Sequence, residues 1–344
     1  MPISGRYTGL MTAPLAGSQR LELRVDVDRL GPHAAVMNRV SGDVYDVGNG
    51  EETYRESWIV EQPKVVPGSD KTRIDGPVKF WKRPDAPATI RLGISPSGKA
   101  EVILTLADGT DEIYECDRSG SEFREVTLEV DVCESVAPLR LPEYDVTSHP
   151  DHPGGLVRRT MKLSSAFREA GVAVTILTGP PEVKDGKPEF ATWSDAELHH
   201  ALTSHFKGQR SLWPQWSLWG LLAGSNERGD AGVMFDQVDP DRQGFAVFKS
   251  PVFAGLPSGH TSAVEQEVAA LRMYLFTWVH EMGHAFNMVH SADKLRSRAL
   301  SWMNNPINFD GGPREFWGKF PFQFDDKELE HIRHGDMAAV IMGG

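Results

Sequence analysis

Val279-His280-Glu281-Met282-Gly283-His284-Ala285-Phe286-Asn287-Met288-Val289-His290-Ser291 sets three histidines and a glutamate in a pattern that decides how the second half of the chain is read. Residues four apart on a helix lie one above the other. His280 and His284 can therefore direct two imidazoles at one metal ion, with Glu281 beside them and not required as a ligand. His290 offers a third nitrogen, but a straight helix cannot deliver it. Ten residues past His280 a helix has turned through about 1000° and risen about 15 Å. The chain must turn back, and Asn287 is expected to make the turn, because asparagine is second only to glycine in tolerating the left-handed conformation that ends helices. Three neutral imidazoles suit zinc, whose catalytic sites keep three protein ligands and an open position. Bare H-E-x-x-H spacing also occurs on amphipathic helices with two surface histidines; the third histidine at this offset argues against that reading.

Downstream stands Ala299-Leu300-Ser301-Trp302-Met303-Asn304-Asn305-Pro306, with Met303 thirteen residues beyond His290. Over residues 280–303 the chain resembles the metzincin clan of zinc endopeptidases, in which an H-E-x-x-H-x-x-G-x-x-H helix and turn is paired with a methionine-containing turn. The resemblance implies one catalytic Zn²⁺ held by His280, His284 and His290, with Glu281 as general base and Met303 as a floor to the metal site. It also implies a protein or peptide substrate, with the wall of a substrate side-chain pocket in 304–317. Asn287 stands where the usual member has glycine. Asn305 stands where some members carry a tyrosine, so no tyrosine role carries over; Ser291 is a hint of the matrixin branch. The implied fold class is α+β, a metzincin-like catalytic domain (mixed twisted sheet plus active-site helix) preceded by an all-β sandwich or small barrel.

The rest of the chain bounds this reading. At 344 residues it suits two domains, and a 40% hydrophobic content can bury sizeable cores. The net charge of −12 is spread evenly over both halves, so nucleic-acid binding has no electrostatic support. The N-terminus lacks the basic and apolar regions of a secretory signal, and no run approaches a membrane span, so a soluble chain with no recognisable export address is expected, cytoplasmic or exported by a non-standard route. Oligomeric state and compartment are left open. Two cysteines, Cys116 and Cys133, do not make a disulfide framework; a bridge and a pair of buried thiols both remain open. A cysteine switch by Cys133 is considered, but Val132-Cys133-Glu134-Ser135 does not match the matrixin switch sequence.

Taken in order, residues 1–20 read as a loose arm and 21–136 as an all-β domain of eight strands. Leu21–Val27 is a clean alternating run; Val36–Val47, Tyr54–Val66, Val78–Lys82, Ala88–Ile94, Glu101–Leu106, Asp111–Cys116 and Glu125–Val132 follow. Gly48-Asn49-Gly50 and Asp108-Gly109 supply turns. Residues 137–147, with two prolines, read as a linker, and 148–344 as the peptidase domain. There the spacing predicts a helix over Leu156–Ala170, a strand over Val172–Leu177, and a helix capped by Ser194 and Glu197. Strands are expected at Trp216–Leu222, Gly232–Phe235 and Gly244–Phe248, the last as an edge strand for extended peptides. Ser262 and Glu265 open the metal-bearing helix, and Asp325-Asp326-Lys327-Glu328 starts a closing one. Asp230, Asp236, Asp239 and Asp241 lack calcium-loop spacing, and His199, His200, His205, His331 and His334 are not expected to be ligands. The function expected is zinc-dependent peptide hydrolysis. Its rivals are a zinc-retaining binding module without catalysis and a zinc hydrolase acting on a non-peptide bond.

Overall fold

The structure is a computed structural model and describes residues 2–28, 37–179, 183–186, 192–208, 216–235, 243–254 and 262–341. The chain forms two compact units, Met1–Arg124 with Asp326–Val340 and Glu125–Asp325 with Ile341–Gly344. Helices among the described residues are α1 (Leu163–Ala170), α2 (Asp195–His205), α3 (Lys249–Ala254), α4 (Ala263–Ala285), α5 (Gly312–Lys319), α6 (Asp326–His334) and α7 (Met337–Val340).

In the first unit, β1 (Gly5–Ala13), β2 (Gln19–Asp26), β3 (Arg39–Gly48), β4 (Glu51–Glu61), β5 (Lys64–Val66), β6 (Thr72–Phe80), β7 (Ala88–Ile94), β8 (Lys99–Thr105) and β9 (Asp111–Gly120) form one antiparallel sheet. β9 pairs back onto β1, and β4 pairs with β6 through Trp58↔Phe80, so eight strands close a barrel and β5 adds to β6 outside the ring. Eight strands leave an interior just wide enough for side chains to fill. Alternate residues fill it: Leu21, Leu23 and Val25 from β2, Ile90, Leu92 and Ile94 from β7, Val102 and Leu104 from β8. Asn49 and Gly50 both have positive φ (53° and 82°), which matches the strand twist in the β3–β4 hairpin. At Gly42 a Cβ would sit 2.5 Å from the Trp58 ring, so the missing side chain is what lets the indole lie across β3.

The polar face of β2–β4 is buried as well, under α6 and α7. Arg24 Nη2 donates to Asp43 Oδ1 at 2.8 Å, and Ser57 Oγ donates to the same oxygen at 2.6 Å. Arg124 reaches Asp43 at 3.3 Å and donates to the carbonyls of Ile332 (2.8 Å) and Gly335 (2.9 Å), the cationic partner that a helix C-terminus favours. Burial opposes the charge on Asp43, but Arg24 and Arg124 outweigh it and hold the carboxyl below its usual range. Arg333 bonds Asp26 at 3.1 Å, and His334 places Nδ1 2.9 Å from Ser41 Oγ and Nε2 3.5 Å from Asp26.

In the second unit, β10 (Arg124–Val132) lies between β13 (Val172–Thr178) and β14 (Ser217–Ala223), with β16 (Gly244–Phe248) and β15 (Gly232–Val233) beyond. β10, β14 and β16 are parallel, and β15 is antiparallel to β16 at the edge. A small hairpin of β11 (Glu143–Asp145) and β12 (Thr160–Lys162) stands apart. Ser194 and Glu197 exchange both capping-box bonds at the start of α2.

This architecture corrects the expected fold class. The chain is mostly sheet, dominated by a closed eight-stranded antiparallel barrel, and is not the metzincin-like α+β arrangement. The arm at 1–20 contains β1, which the closed ring needs between β2 and β9. Glu125–Val132 leaves the barrel for the other sheet, and the units divide between Arg124 and Glu125, not at 137–147. Asp326–His334 joins the barrel unit. Gly244–Phe248 is interior to its sheet; the edge is β15. Val36, the start of one expected strand, lies outside the described residues.

Burial pushes His334 down from 6.5 to about 4, against the pull of Asp26. Between those values the unfolded chain takes up a proton that the folded one refuses, so stability held above pH 6.5 is lost as pH falls toward 4. At about 1.36 kcal/mol per unit the loss is roughly 3 kcal/mol. His334→Gln is expected to flatten that slope, measured as the difference in denaturant unfolding between pH 7 and pH 4.5. An unchanged slope would place its origin elsewhere.

Candidate metal centre

α4 begins where Ser262 Oγ accepts the Glu265 N–H at 3.2 Å, and its second half is buried almost continuously from Ala269 to Ala285. It ends in a Schellman turn. Asn287 adopts φ 59°, its N–H donates to His284 O at 2.9 Å, and the Met288 N–H donates to Gly283 O at 3.3 Å. The chain reverses there, as the spacing requires, and brings His290 back beside the helix.

The three Nε2 atoms of His280, His284 and His290 form an equilateral triangle with 3.1 Å sides. Nitrogens about 2.0–2.1 Å from a shared ion in a regular tetrahedron stand roughly 3.3 Å apart, so the triangle fits a metal with its fourth position open. The protonation states point the same way. His280 Nδ1 lies 2.6 Å from the carbonyl of Trp302, and His284 Nδ1 lies 2.7 Å from that of Met288. A carbonyl can only accept, so both Nδ1 atoms carry the hydrogen and both Nε2 atoms turn a bare lone pair inward. Burial and mutual repulsion lower the pKa of His280 far below the usual range and that of His284 to about 4, so neither supplies a proton to hold the triangle together. A cation does. His290 has Asp293 at 3.4 Å from its Nδ1. Among the described residues this is the one cluster of its kind.

The Glu281 side chain lies against the edge strand β15. Its carboxylate accepts the Met234 N–H just past β15, and burial, with Asp230 adding to it, raises the pKa to about 8. A divalent cation at the histidines acts in the opposite direction. Gly232 makes room for this carboxylate: a Cβ there would stand 2.6 Å from Glu281 Cγ and 2.8 Å from its Oε1. Arg228 fastens the preceding loop, donating to Asp230 and to Asp195 at 2.8 Å each.

Met303 is fully buried, and its sulphur lies against α4 at Gly283, between the two helical ligands. The turn that carries it is held from several sides. Ser291 N–H donates to Met303 O (2.9 Å), Met303 N–H to Ser301 Oγ (3.0 Å), and Asn304 Nδ2 to the carbonyls of Ser297 and Ala299. Phe276 stacks on the His280 ring at 5.6 Å and joins Trp302, Phe316, Trp317 and Phe320 in an aromatic layer behind it.

No protein-family model matches the chain, and no curated protein matches it either. The structure brings together His280, His284, His290, Glu281 and Met303. His199, His200 and His205 on α2, and His331 and His334 on α6, stand outside the cluster. Asp230 is an ion-pair partner of Arg228, while Asp236, Asp239 and Asp241 lie outside the described residues. Cys116 and Cys133 are free and buried; Cys133, beside Asp185, does not join the histidines. Sequence reading missed Gly283 and Gly232. A glycine inside an otherwise strong helix between two ligands was the available signal for the first. The carbonyls of Trp302 and Met288 carry no side-chain signature at all.

Gly283→Ala drives a methyl group into Met303 and is expected to cost about 1–3 kcal/mol in thermal or denaturant unfolding. In a Met303→Ala background, which has its own cavity cost, the same glycine change should cost much less than it does in the wild type. An equal cost in both backgrounds would show that Met303 is not the obstacle. Separately, His284→Ala or His290→Ala is expected to abolish stoichiometric metal retention, read by metal analysis after dialysis.

Proposed function

We propose that the chain is a zinc-dependent hydrolase cleaving peptide bonds, with His280, His284 and His290 as ligands and Glu281 as general base. One observation carries this reading: three imidazole nitrogens converging 3.1 Å apart, with a buried carboxylate on the residue adjoining His280 on the same helix. The nitrogen-only, neutral ligand set favours zinc over calcium or magnesium, which take oxygen. The likeness to metzincins is one of motif, over residues 280–303, and it supports the class of chemistry and not an architecture.

A bound zinc supplies Lewis acidity, making water nucleophilic near neutral pH and polarising a carbonyl. The chain's own residues do the rest. Trp302 and Met288 carbonyls keep His280 and His284 in the tautomer that presents Nε2. Glu281 takes the proton from the attacking water and passes it to the leaving amine, held on line by the Met234 N–H. Among the described residues β15 is the edge of its sheet, beside Glu281, and an extended peptide can add there as a further strand. That edge favours a peptide over a small non-peptide substrate. The presence of a base favours catalysis over zinc-dependent binding alone. No helix among the described residues is long and apolar enough to cross a membrane.

Glu281→Gln keeps volume and helix propensity and removes the proton acceptor. Zinc is expected to stay near one per chain while peptide cleavage falls by roughly 10²–10⁴-fold. Cleavage at the wild-type rate would overturn the assigned role of Glu281. A wild-type protein that binds zinc and releases no new amino termini from casein-type substrates would favour the binding-module reading.

A further inference from the structure

Asn287 does more than turn the chain. The left-handed backbone it adopts (φ 59°) would suit glycine at least as well, since glycine carries no Cβ to strain there. What glycine could not supply is the side-chain donor: Asn287 Nδ2 bonds the main-chain carbonyl of Ile341 at 2.9 Å. Ile341 is fully buried and follows directly on α7, after the segment Asp326–Val340 that packs with the barrel. On the other side of the bond, three features of the metal centre fall within four residues. Asn287 makes the turn, Met288 gives the carbonyl that orients His284, and His290 brings the third nitrogen.

We infer that Asn287 is a positioning residue of the metal centre, and that the Ile341 carbonyl is the fixed point against which it sets residues 287–290. This rests on the metal-binding reading above. A turn defined only by its Schellman bonds can pivot about the helix axis, and a pivot moves His290 and the Met288 carbonyl together. His290 is the half-exposed ligand, with 43% of its side chain accessible, and is the one of the three whose Nδ1 meets a carboxylate and not a carbonyl. A lateral tie one turn away therefore restrains the ligand least held by its own surroundings. Loss of a partner that orients a ligand typically weakens metal binding by about 10–100-fold.

The test uses the full chain and three changes. Asn287→Gly keeps the left-handed turn and removes the donor. Asn287→Asp keeps the side-chain size and sets a carboxylate oxygen against the carbonyl. Deleting residues 341–344 removes the acceptor. Zinc affinity is read by chelator competition, together with the visible spectrum of the cobalt-substituted protein, whose band positions and intensities report ligand geometry. Thermal unfolding of the metal-free forms records any general loss of stability. Asn287→Gly and Asn287→Asp are each expected to weaken zinc binding by about 10-fold or more and to alter the cobalt spectrum, with little change in metal-free melting. Because both changes remove one bond, Asn287→Gly combined with the deletion should bind zinc no more weakly than the deletion alone. Asn287→Gly with wild-type zinc affinity and an unchanged cobalt spectrum overturns the inference. Should the glycine variant fail to fold, the aspartate variant decides by the same two readings. A wild-type chain that binds no zinc would instead sink the metal-binding reading on which this one rests.

Discussion

Three imidazole nitrogens face one another at 3.1 Å, two of them with bare lone pairs turned inward, and much of the second unit is arranged to impose this. Left alone, two of the rings would rotate or take a proton. The carbonyls of Trp302 and Met288 prevent rotation by holding the Nδ1 hydrogens, and burial makes protonation costly. A cation at the centre would relieve the repulsion between the facing nitrogens, so the contacts that destabilise the empty site are the ones that would favour a bound metal. The aromatic layer behind His280 and the sulphur of Met303 against Gly283 leave the helix no room to retreat.

The barrel unit follows a different logic. Its interior is an apolar core of ordinary alternating strands, yet its outer face along β2–β4 buries Arg24, Asp26, Ser41, Asp43 and Ser57 beneath the chain's last helices. A buried ion network of this kind gives little net stability, because the cost of desolvation offsets most of the attraction. It does give specificity: Arg124 selects the carbonyls of Ile332 and Gly335, and His334 selects Ser41.

Around the metal centre, small residues matter because of what they do not occupy. Gly232 leaves space for the Glu281 carboxylate next to an edge strand, and Gly283 leaves space for Met303. Arg272, two turns before His280, is buried with its guanidinium 4.1 Å over the Trp317 ring and a bond to the Asp151 carbonyl; burial lowers its pKa to about 10. It binds the start of the unit to the wall that holds the aromatic layer.

Much of the candidate metal centre was legible in the sequence because its three histidines are local. His280 and His284 need only helical periodicity to meet, and Asn287 announces the reversal that brings His290 to them. Turn chemistry at Asn49-Gly50 and the alternation of Leu21, Leu23 and Val25 were readable for the same reason, since both arise from neighbours in the chain. The fold class was not. Whether a polar strand face meets water or a helix is decided by residues about 300 positions away, as Arg333 on Asp26 shows, and period-2 alternation reads the same in both cases. Residues 1–20 looked like an arm because a strand's partners are non-local, and β1 exists as a strand only between β2 and β9. Glu129 and Asp131 alternate with Leu128, Val130 and Val132 along β10. In the folded unit Glu129 accepts the Lys207 N–H and Asp131 accepts the Trp219 indole N–H, so a central position satisfies both. Sequence by itself determined which side chains could bind a metal and where the chain had to turn to do so. Tertiary structure alone decided which strands close the barrel and which atoms orient the ligands, because backbone carbonyls and non-local pairings leave no mark on local composition.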